Sequence, residues 1–559
     1  MAAPGHVNMM DDVLISQLPT SILRSSLRAL VSRVPTARQV FVEHVRRRLR
    51  ESPPSFAPPG ELFHAANPRY AEFMALTRCL FSSKMAIESL PYLVHLLKSV
   101  VEAGASWSAN DRLERSLERA CGDIVQAVQA LKETLAASSP EKQQLLQARL
   151  ALAELSNAIY ACDNYCSSRS LSYPFGRAQH QVQDFLATLE PTAYIRRCTV
   201  HLQLDVSVDQ TVSTSLEQTR IGTLTVPRLF NGLWQMSSPA WGWASSIKQT
   251  AALAQLIQCG LLATDMADHY GDAELIYGGF RNCLRPEVRE QVIAASKWCV
   301  FRPIEGPITA HTVLDAVQER AVRLKGRIDL LQFHWNDYED KGYLAVLVEL
   351  VKLTRSHPML VSNIGLCNFD AEHTEEVCEH LLSTLGEVGV VSNQIQFSLI
   401  DSRPMFKMAP VCEKFGIKLL TYGTFCGGFL SDKWLGVGPP DIYSESAGLT
   451  PSQRKYFDVI STWGTWVDFQ ALLKTLATIA EKHKVDISNV AARWVLDNPV
   501  VGAVIVGTRL GVSCNLHSNL RVFSFQLDVE DREQIEAAAL GKHARRIFEM
   551  MGDCGDEYR

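Results

Sequence analysis

From residue 219 onward, short apolar runs alternate with amphipathic segments of helical length, and no other feature constrains the fold of this chain as strongly. The runs are Leu229 to Trp234, Leu261 to Asp265, Val292 to Ser296, Ile328 to Phe333, Val361 to Leu366, Val390 to Ile395, Ile417 to Tyr422 and Ala503 to Val506. Helical patterns lie between most neighbours, and two of them, Val467 to His483 and Ser488 to Asp497, fill the long last connection. Runs that are apolar throughout, rather than at every second position, belong to strands buried on both faces, as parallel strands flanked by helices are. Eight such units predict an α/β fold, a (β/α)8 TIM barrel over residues 218–545. No Gly-x-Gly-x-x-Gly sits at a strand-to-helix turn, which argues against a doubly wound dinucleotide-binding sheet. A small hairpin, Ile221 to Val226 with Gly222 at its turn, is expected ahead of the first strand.

Residues 1–190 read as an all-α domain with no chemistry of its own. Leu14, Leu18, Ile22, Leu23, Leu27, Leu30 and Val31 form a helical stripe, and Pro35 ends that segment with Thr36 as the next N-cap. The run Arg46-Arg47-Arg48-Leu49-Arg50 is either a site for an acidic partner or a solvated helix C-terminus, where cations suit the macrodipole. Further helices are expected over Arg69 to Ser83, Leu90 to Ala103, Asn110 to Ala137, Ser139 to about Ala161, and Gln179 to Leu189. His6, His44, His64 and His95 have no ligand-spaced partners, so no metal is expected. Residues 191–217 read as a linker, with short strands in Thr199 to Ser215, and 546–559 as a C-terminal tail.

The net charge of −5 gives no sign of a nucleic-acid partner, and no apolar run approaches the ~20 residues of a membrane span. The 14 cysteines have no paired framework; reduced thiols and a cytoplasmic location are expected. Asp11-Asp12 and the lack of an apolar core near the N-terminus speak against a secretory signal.

In a barrel, residues at the C-terminal ends of the strands converge on one mouth. Those ends are Trp234, Asp265, Lys297, His334, Asn368, Gln394, Tyr422 and Gly507 to Arg509, with Tyr270 in the loop after the second strand. A tyrosine of pKa ~10 is a poor proton donor near neutrality. An ammonium beside it lowers that pKa, so Lys297 would tune Tyr270 while Asp265 holds Lys297. His334 would hydrogen-bond a substrate carbonyl oxygen. Each group singly has a bland reading as an ion pair, a packed histidine or a turn residue; together they form an acid/base set. Asp268 and Asp272 read as solvated turn residues, and Glu274 as a structural carboxylate in a first helical turn.

These residues sit in motifs that resemble the aldo-keto reductase superfamily. The motifs are Asp265 to Glu274, Ala294 to Lys297, Asp329 to Trp335, Ile364 to Phe369, Asn393 to Phe397, Ala491 to Leu496 and Val506 to Arg509, in chain order over residues 219–541. The resemblance implies a barrel that binds a nicotinamide dinucleotide, usually NADPH, and reversibly reduces an aldehyde or ketone. It implies Tyr270 as general acid with Asp265, Lys297 and His334. Asn368 and Gln394 would bind the nicotinamide carboxamide, with Cys367 standing where the family has Ser. Tyr422 would stack on the ring, and the loop from Tyr422 through Gly428 to Leu430 would close over the pyrophosphate. Gly507, Thr508, Arg509 and Asn519 would hold the adenosine end, Arg509 suiting a 2′-phosphate. Trp234 is placed with the cofactor, and with Trp241, Trp298 and Trp335 forms candidate pocket walls that core packing explains equally well. The alternative of a different class is a cofactor-sensing barrel that binds a protein partner through the helical domain. A Schiff-base enzyme built on Lys297 would leave Asn368, Gln394 and Arg509 without a role.

Overall fold

The computed structural model describes residues 15–63, 68–136, 142–190, 203–209, 211 and 214–559. Leu14, Asp11-Asp12, His6, His64, Ser139, Pro140 and part of the strand candidate Thr199 to Ser215 lie outside the described residues.

Eight parallel strands close a barrel in the order β10-β3-β4-β5-β6-β7-β8-β9. They are β3 (Leu229–Gly232), β4 (Ala263–Asp265), β5 (Ile293–Val300), β6 (Leu330–Trp335), β7 (Ile364–Cys367), β8 (Val390–Gln396), β9 (Lys418–Tyr422) and β10 (Val501–Gly507). Each overlaps an expected apolar run. Their ends shift by a few residues because apolar runs extend into buried turns, where ladder hydrogen bonds have stopped. The expected hairpin is β1 (Gln218–Ile221) paired antiparallel with β2 (Leu224–Pro227). Its Ile221 and Val226 pack with Phe230, Leu330 and Ala503 of the barrel interior, so the hairpin plugs the end away from the mouth.

Side chains alternate across a strand. Ala295 of β5 and Leu330 of β6 belong to that interior layer, so Lys297, Gln332 and His334, at even spacing beyond them, also face the axis. Phe333 and Trp335 face the helices and join the outer core.

The N-terminal region is helical, with α1 (Thr20–Arg33), α2 (Pro35–Glu51), α3 (Tyr70–Ser82), α4 (Ala86–Glu102), α5 (Arg112–Ala136), α6 (Lys142–Ser168) and α7 (Gly176–Leu189) as its longer elements. Pro35 opens α2 at its first position rather than preceding a Thr36 cap, since a first turn needs no proline N–H. The core of α3 to α7 is separate from that of the barrel. The described part of 203–217 runs along the barrel, with one isolated bridge, Leu204 to Leu284. The last helix, Gly541–Met551, continues past residue 545, and the residues after it return to the barrel mouth. No helix among the described residues is long and apolar enough to cross a membrane.

Candidate active site

Four inward-facing side chains interlock at the C-terminal ends of the strands. The Lys297 Nζ donates to Asp265 Oδ2 at 2.6 Å and to the Met266 carbonyl at 2.9 Å. The other Asp265 oxygen accepts from Gln332 Nε2 and Gln394 Nε2, both at 2.8 Å. All four are almost fully buried, so the charge pair depends on this complete set of partners. Above it, Lys297 Nζ lies 4.8 Å from the centre of the Tyr270 ring. Thus the structure brings Asp265, Lys297 and Tyr270 together. Gln332 was missed from sequence, although it sits two residues before His334 on the same strand face. The Gln394 Nε2 is occupied by Asp265 and Gln332, so its offer to a carboxamide is the carbonyl oxygen Oε1.

Burial is the largest influence on the Tyr270 phenol and raises it above its ordinary value; Lys297 pulls it down and Asp265 pushes it up. The expected tuning by Lys297 is therefore present in sign but smaller than the cost of burying a phenolate. Burial is the largest single influence on Lys297 and disfavours its charge, yet Asp265 together with lesser pulls from Tyr270 and Cys367 outweighs it and keeps the ammonium protonated. Burial pushes His334 down to about 4, so its imidazole is neutral near neutrality. His334 Nδ1 lies 3.1 Å from the Cys367 carbonyl oxygen. A carbonyl only accepts, which assigns the proton to Nδ1 and leaves Nε2 a lone pair.

Asn368 follows β7 with a left-handed φ of 57°, and Tyr422 donates to its Oδ1 at 2.8 Å. Cys367 is buried beside it. The C-terminal tail completes this side of the mouth. Tyr558 and Tyr422 share a hydroxyl contact of 3.0 Å, Lys455 donates to Tyr558 at 2.9 Å, and Arg559 donates to the Asn368 carbonyl and to Tyr338. Tyr558 also lies edge-on to His334. Nothing in the periodicity of 546–559 signals this return, because it is a contact between segments more than a hundred residues apart. In the loop after β9, Gly428 has a left-handed φ of 92°, while Leu430 buries its side chain in the core and donates its N–H to Phe425. Leu430 thus holds the loop down from below.

At the far side, Gly507, Thr508, Arg509 and Asn519 line one cavity of about 380 Å³, together with Lys248. Arg509 is steered by Ser513 Oγ at 3.0 Å and the Trp241 carbonyl at 3.3 Å. Trp241 lies edge-on to Trp234, with ring centres 4.8 Å apart. In the adjoining recess, Gln235 Oε1, Trp243 Nε1 and Gln249 Oε1 are buried and, among the described residues, have no hydrogen-bond partner. Cations, a hydroxyl and an amide on the cavity supply donors for the phosphates of a dinucleotide, and the recess beside it adds one free indole N–H and two amide oxygens that accept from hydroxyls. The residues fit that group.

Several sequence readings need correction. Asp272 is buried, with both oxygens held by Arg177 of α7 at 2.6 and 2.8 Å. Asp268 is bound by Arg320 and by the Cys299 N–H, and its carboxyl is held below the usual range: burial, the largest single influence, opposes this, and Arg320, His269 and the Cys299 N–H together outweigh it. Neither is a solvated turn residue; their counter-charges come from distant segments that local reading does not reach. Glu274 is structural, as expected, but buried on Ser296 and Arg323. Trp298 and Trp335 face away from the axis and pack as core, Trp335 donating to the Asp337 and Asp340 carbonyls at 2.6 and 2.9 Å.

The model of the aldo/keto reductase family matches residues 228–540. The chain belongs to the aldo/keto reductase family. As such it is an oxidoreductase of the aldo/keto reductase kind, in a family that generally uses a nicotinamide dinucleotide. Flagellar radial spoke protein 5 of Chlamydomonas reinhardtii is 30% identical over 186 residues, which are 30% of this chain and 33% of that protein. The chain therefore spans only about a third of that relative's length. The chloroplastic pyridoxal reductase of Arabidopsis thaliana is 24% identical over 344 residues, 58% of this chain and 86% of the relative. Among solved structures, a thermostable aldo-keto reductase crystallised with the inhibitor epalrestat shares 20% identity, with a TM-score of 0.42 over 58% of this chain and all of that one.

Proposed function

We propose that this aldo/keto reductase catalyses NADPH-dependent, reversible reduction of an aldehyde or ketone, with Tyr270 as the general acid. The observation that carries the proposal is the buried stack of Asp265, Lys297 and Tyr270, with Lys297 Nζ 2.6 Å from Asp265 and 4.8 Å from the phenol ring centre. A bound reduced nicotinamide supplies the hydride. Thr508, Arg509, Lys248 and Asn519 would hold the nucleotide end, and Asn368, Gln394 and Tyr422 the nicotinamide end. The protein's own part is to place a proton at the carbonyl oxygen. Tyr270 donates it, and the Lys297 ammonium stabilises the phenolate that remains. His334, neutral and protonated on Nδ1, presents an acceptor; it favours the hydroxyl of the alcohol or one beside the carbonyl. Arg509 supports NADPH over NADH through its guanidinium. The test is NADPH consumption by the full chain against a panel of aldehydes and ketones, pyridoxal among them because of the Arabidopsis relative.

A second reading has one observation in its favour, the similarity to a radial spoke protein. In it the barrel is kept for assembly, and the helical region contacts a protein partner. Tight NADPH binding with no consumption on any carbonyl favours this reading.

A further inference from the structure

The turn that carries Tyr270 is not held by the barrel alone. At its near end Asp268 is bound by Arg320 and the Cys299 N–H, both barrel groups. At its far end Asp272 is bound by Arg177, which lies 95 residues earlier in the first turn of α7. Arg177 Nη2 donates to one Asp272 oxygen at 2.6 Å and Nε to the other at 2.8 Å, and both residues are buried. A bidentate pair of this kind fixes orientation as well as distance. The adjacent Ala178 N–H points at Cys121 Sγ at 3.4 Å, which ties α7 to α5 at this spot. α5 supports the turn directly: Gly271, next to Tyr270, has a φ of 61°, and a Cβ built on it would lie 3.6 Å from Val125 Cγ1.

The same helix reaches the other half of the site. Asp184, two turns along α7, accepts from Arg323 Nε at 3.0 Å. Arg323 also donates to Glu274 at 3.3 Å, and Glu274 accepts from Ser296, the neighbour of Lys297. Through one helix, the N-terminal region grips the segment beside Tyr270 and the strand beside Lys297.

We infer that Arg177 is a positioning residue for carbonyl reduction, and that the helical region is a built-in clamp that sets the Tyr270 turn over Lys297. The inference rests on the reading of Tyr270 as proton donor. A phenol must sit within a few tenths of an ångström of its working place, and misplacement by about 1 Å can cost about 100-fold in rate. The carrying observation is the cross-region chelate on Asp272, two residues from Tyr270.

The experiment uses the full chain, NADPH and 4-nitrobenzaldehyde, or whichever carbonyl the wild type reduces fastest. Arg177→Lys keeps the charge and loses the fork; Arg177→Gln, Asp272→Asn and their double variant complete a cycle. Arg78→Gln, which breaks a pair between α3 and α5 without touching the barrel, is the structural comparator. We expect kcat to fall about 10- to 100-fold in the Arg177 variants with NADPH affinity held within about 2-fold. The alkaline limb of the kcat–pH profile should move upward, because a displaced phenol loses the pull of Lys297. The double variant should be no slower than Arg177→Gln alone, and Arg78→Gln should lower the melting temperature while keeping kcat and its pH profile. An Arg177→Lys or Asp272→Asn protein that melts earlier yet keeps the wild-type kcat and pH profile overturns the inference. A wild type that consumes no NADPH, or a Tyr270→Phe variant as active as wild type, overturns the underlying reading and the inference with it.

Discussion

Tyr270 and His334 make different predictions because burial acts on them differently. For Tyr270, loss of the hydroxyl removes the proposed proton donor but keeps the ring over Lys297. Tyr270→Phe should lower kcat by about 100-fold or more with little change in NADPH affinity, measured by steady-state turnover and cofactor titration. For His334, the folded pKa of about 4 lies below the ordinary 6.5. As the pH falls through that window the unfolded chain takes up a proton that the folded chain does not. Stability is therefore lost as pH falls from 6.5 towards 4, by about 3 kcal/mol for this one group. Denaturant unfolding of wild type and His334→Gln at pH 7 and pH 4 checks it: the variant should lack this part of the acid loss. Asp265, Lys297 and His334 were legible in the sequence because each lies on a strand near the barrel mouth, and Tyr270 because it follows the second strand directly. Gln332 was legible in principle by the period-2 rule. Lys455, Tyr558 and Arg559 were not, since a mouth assembled from loops and a tail has no periodicity to read.

At the scale of elements, the C-terminal tail is held by one buried cation. Arg403 donates to both oxygens of Asp401 at 2.8 Å, to the Asp553 carbonyl at 2.9 Å and to Glu557 at 3.0 Å. Removing it leaves the fully buried Asp401 without a counter-charge. Arg403→Met should cost about 3–5 kcal/mol in chemical denaturation and release the tail from the mouth. Limited proteolysis should then cut after the helix Gly541–Met551 faster than in wild type. Strand and helix existence followed from apolar spacing, while the helix Gly541–Met551, with His543, Ala544 and Ile547 buried, spans the expected domain boundary at residue 545.

At the scale of the whole molecule, two hydrophobic cores meet across a seam of buried charge. Asp184 is shared by Arg323 at 3.0 Å and Lys132 at 3.5 Å, and Arg177 holds Asp272. Such pairs are costly to break singly, and salt screens them little. Asp184→Asn should therefore destabilise the protein by about 3 kcal/mol. Calorimetry should show the helical region and barrel of the wild type melting in one transition, and the variant splitting it in two. A single, unshifted transition in Asp184→Asn would show that the seam couples nothing.

The sequence by itself determined the barrel, its order of strands and the placing of Asp265, Lys297 and His334 towards its mouth, because hydrophobic period and strand-end position are local properties of the chain. It also determined the helical character of the N-terminal region. Only the tertiary structure decided that this region sits on the Tyr270 turn, that Asp268 and Asp272 are buried partners rather than solvated ones, and that the tail closes the mouth. The physical reason is the same in each case. A carboxylate looks solvated in sequence until a guanidinium from a distant segment desolvates it, and which segment arrives is settled by packing, not by spacing.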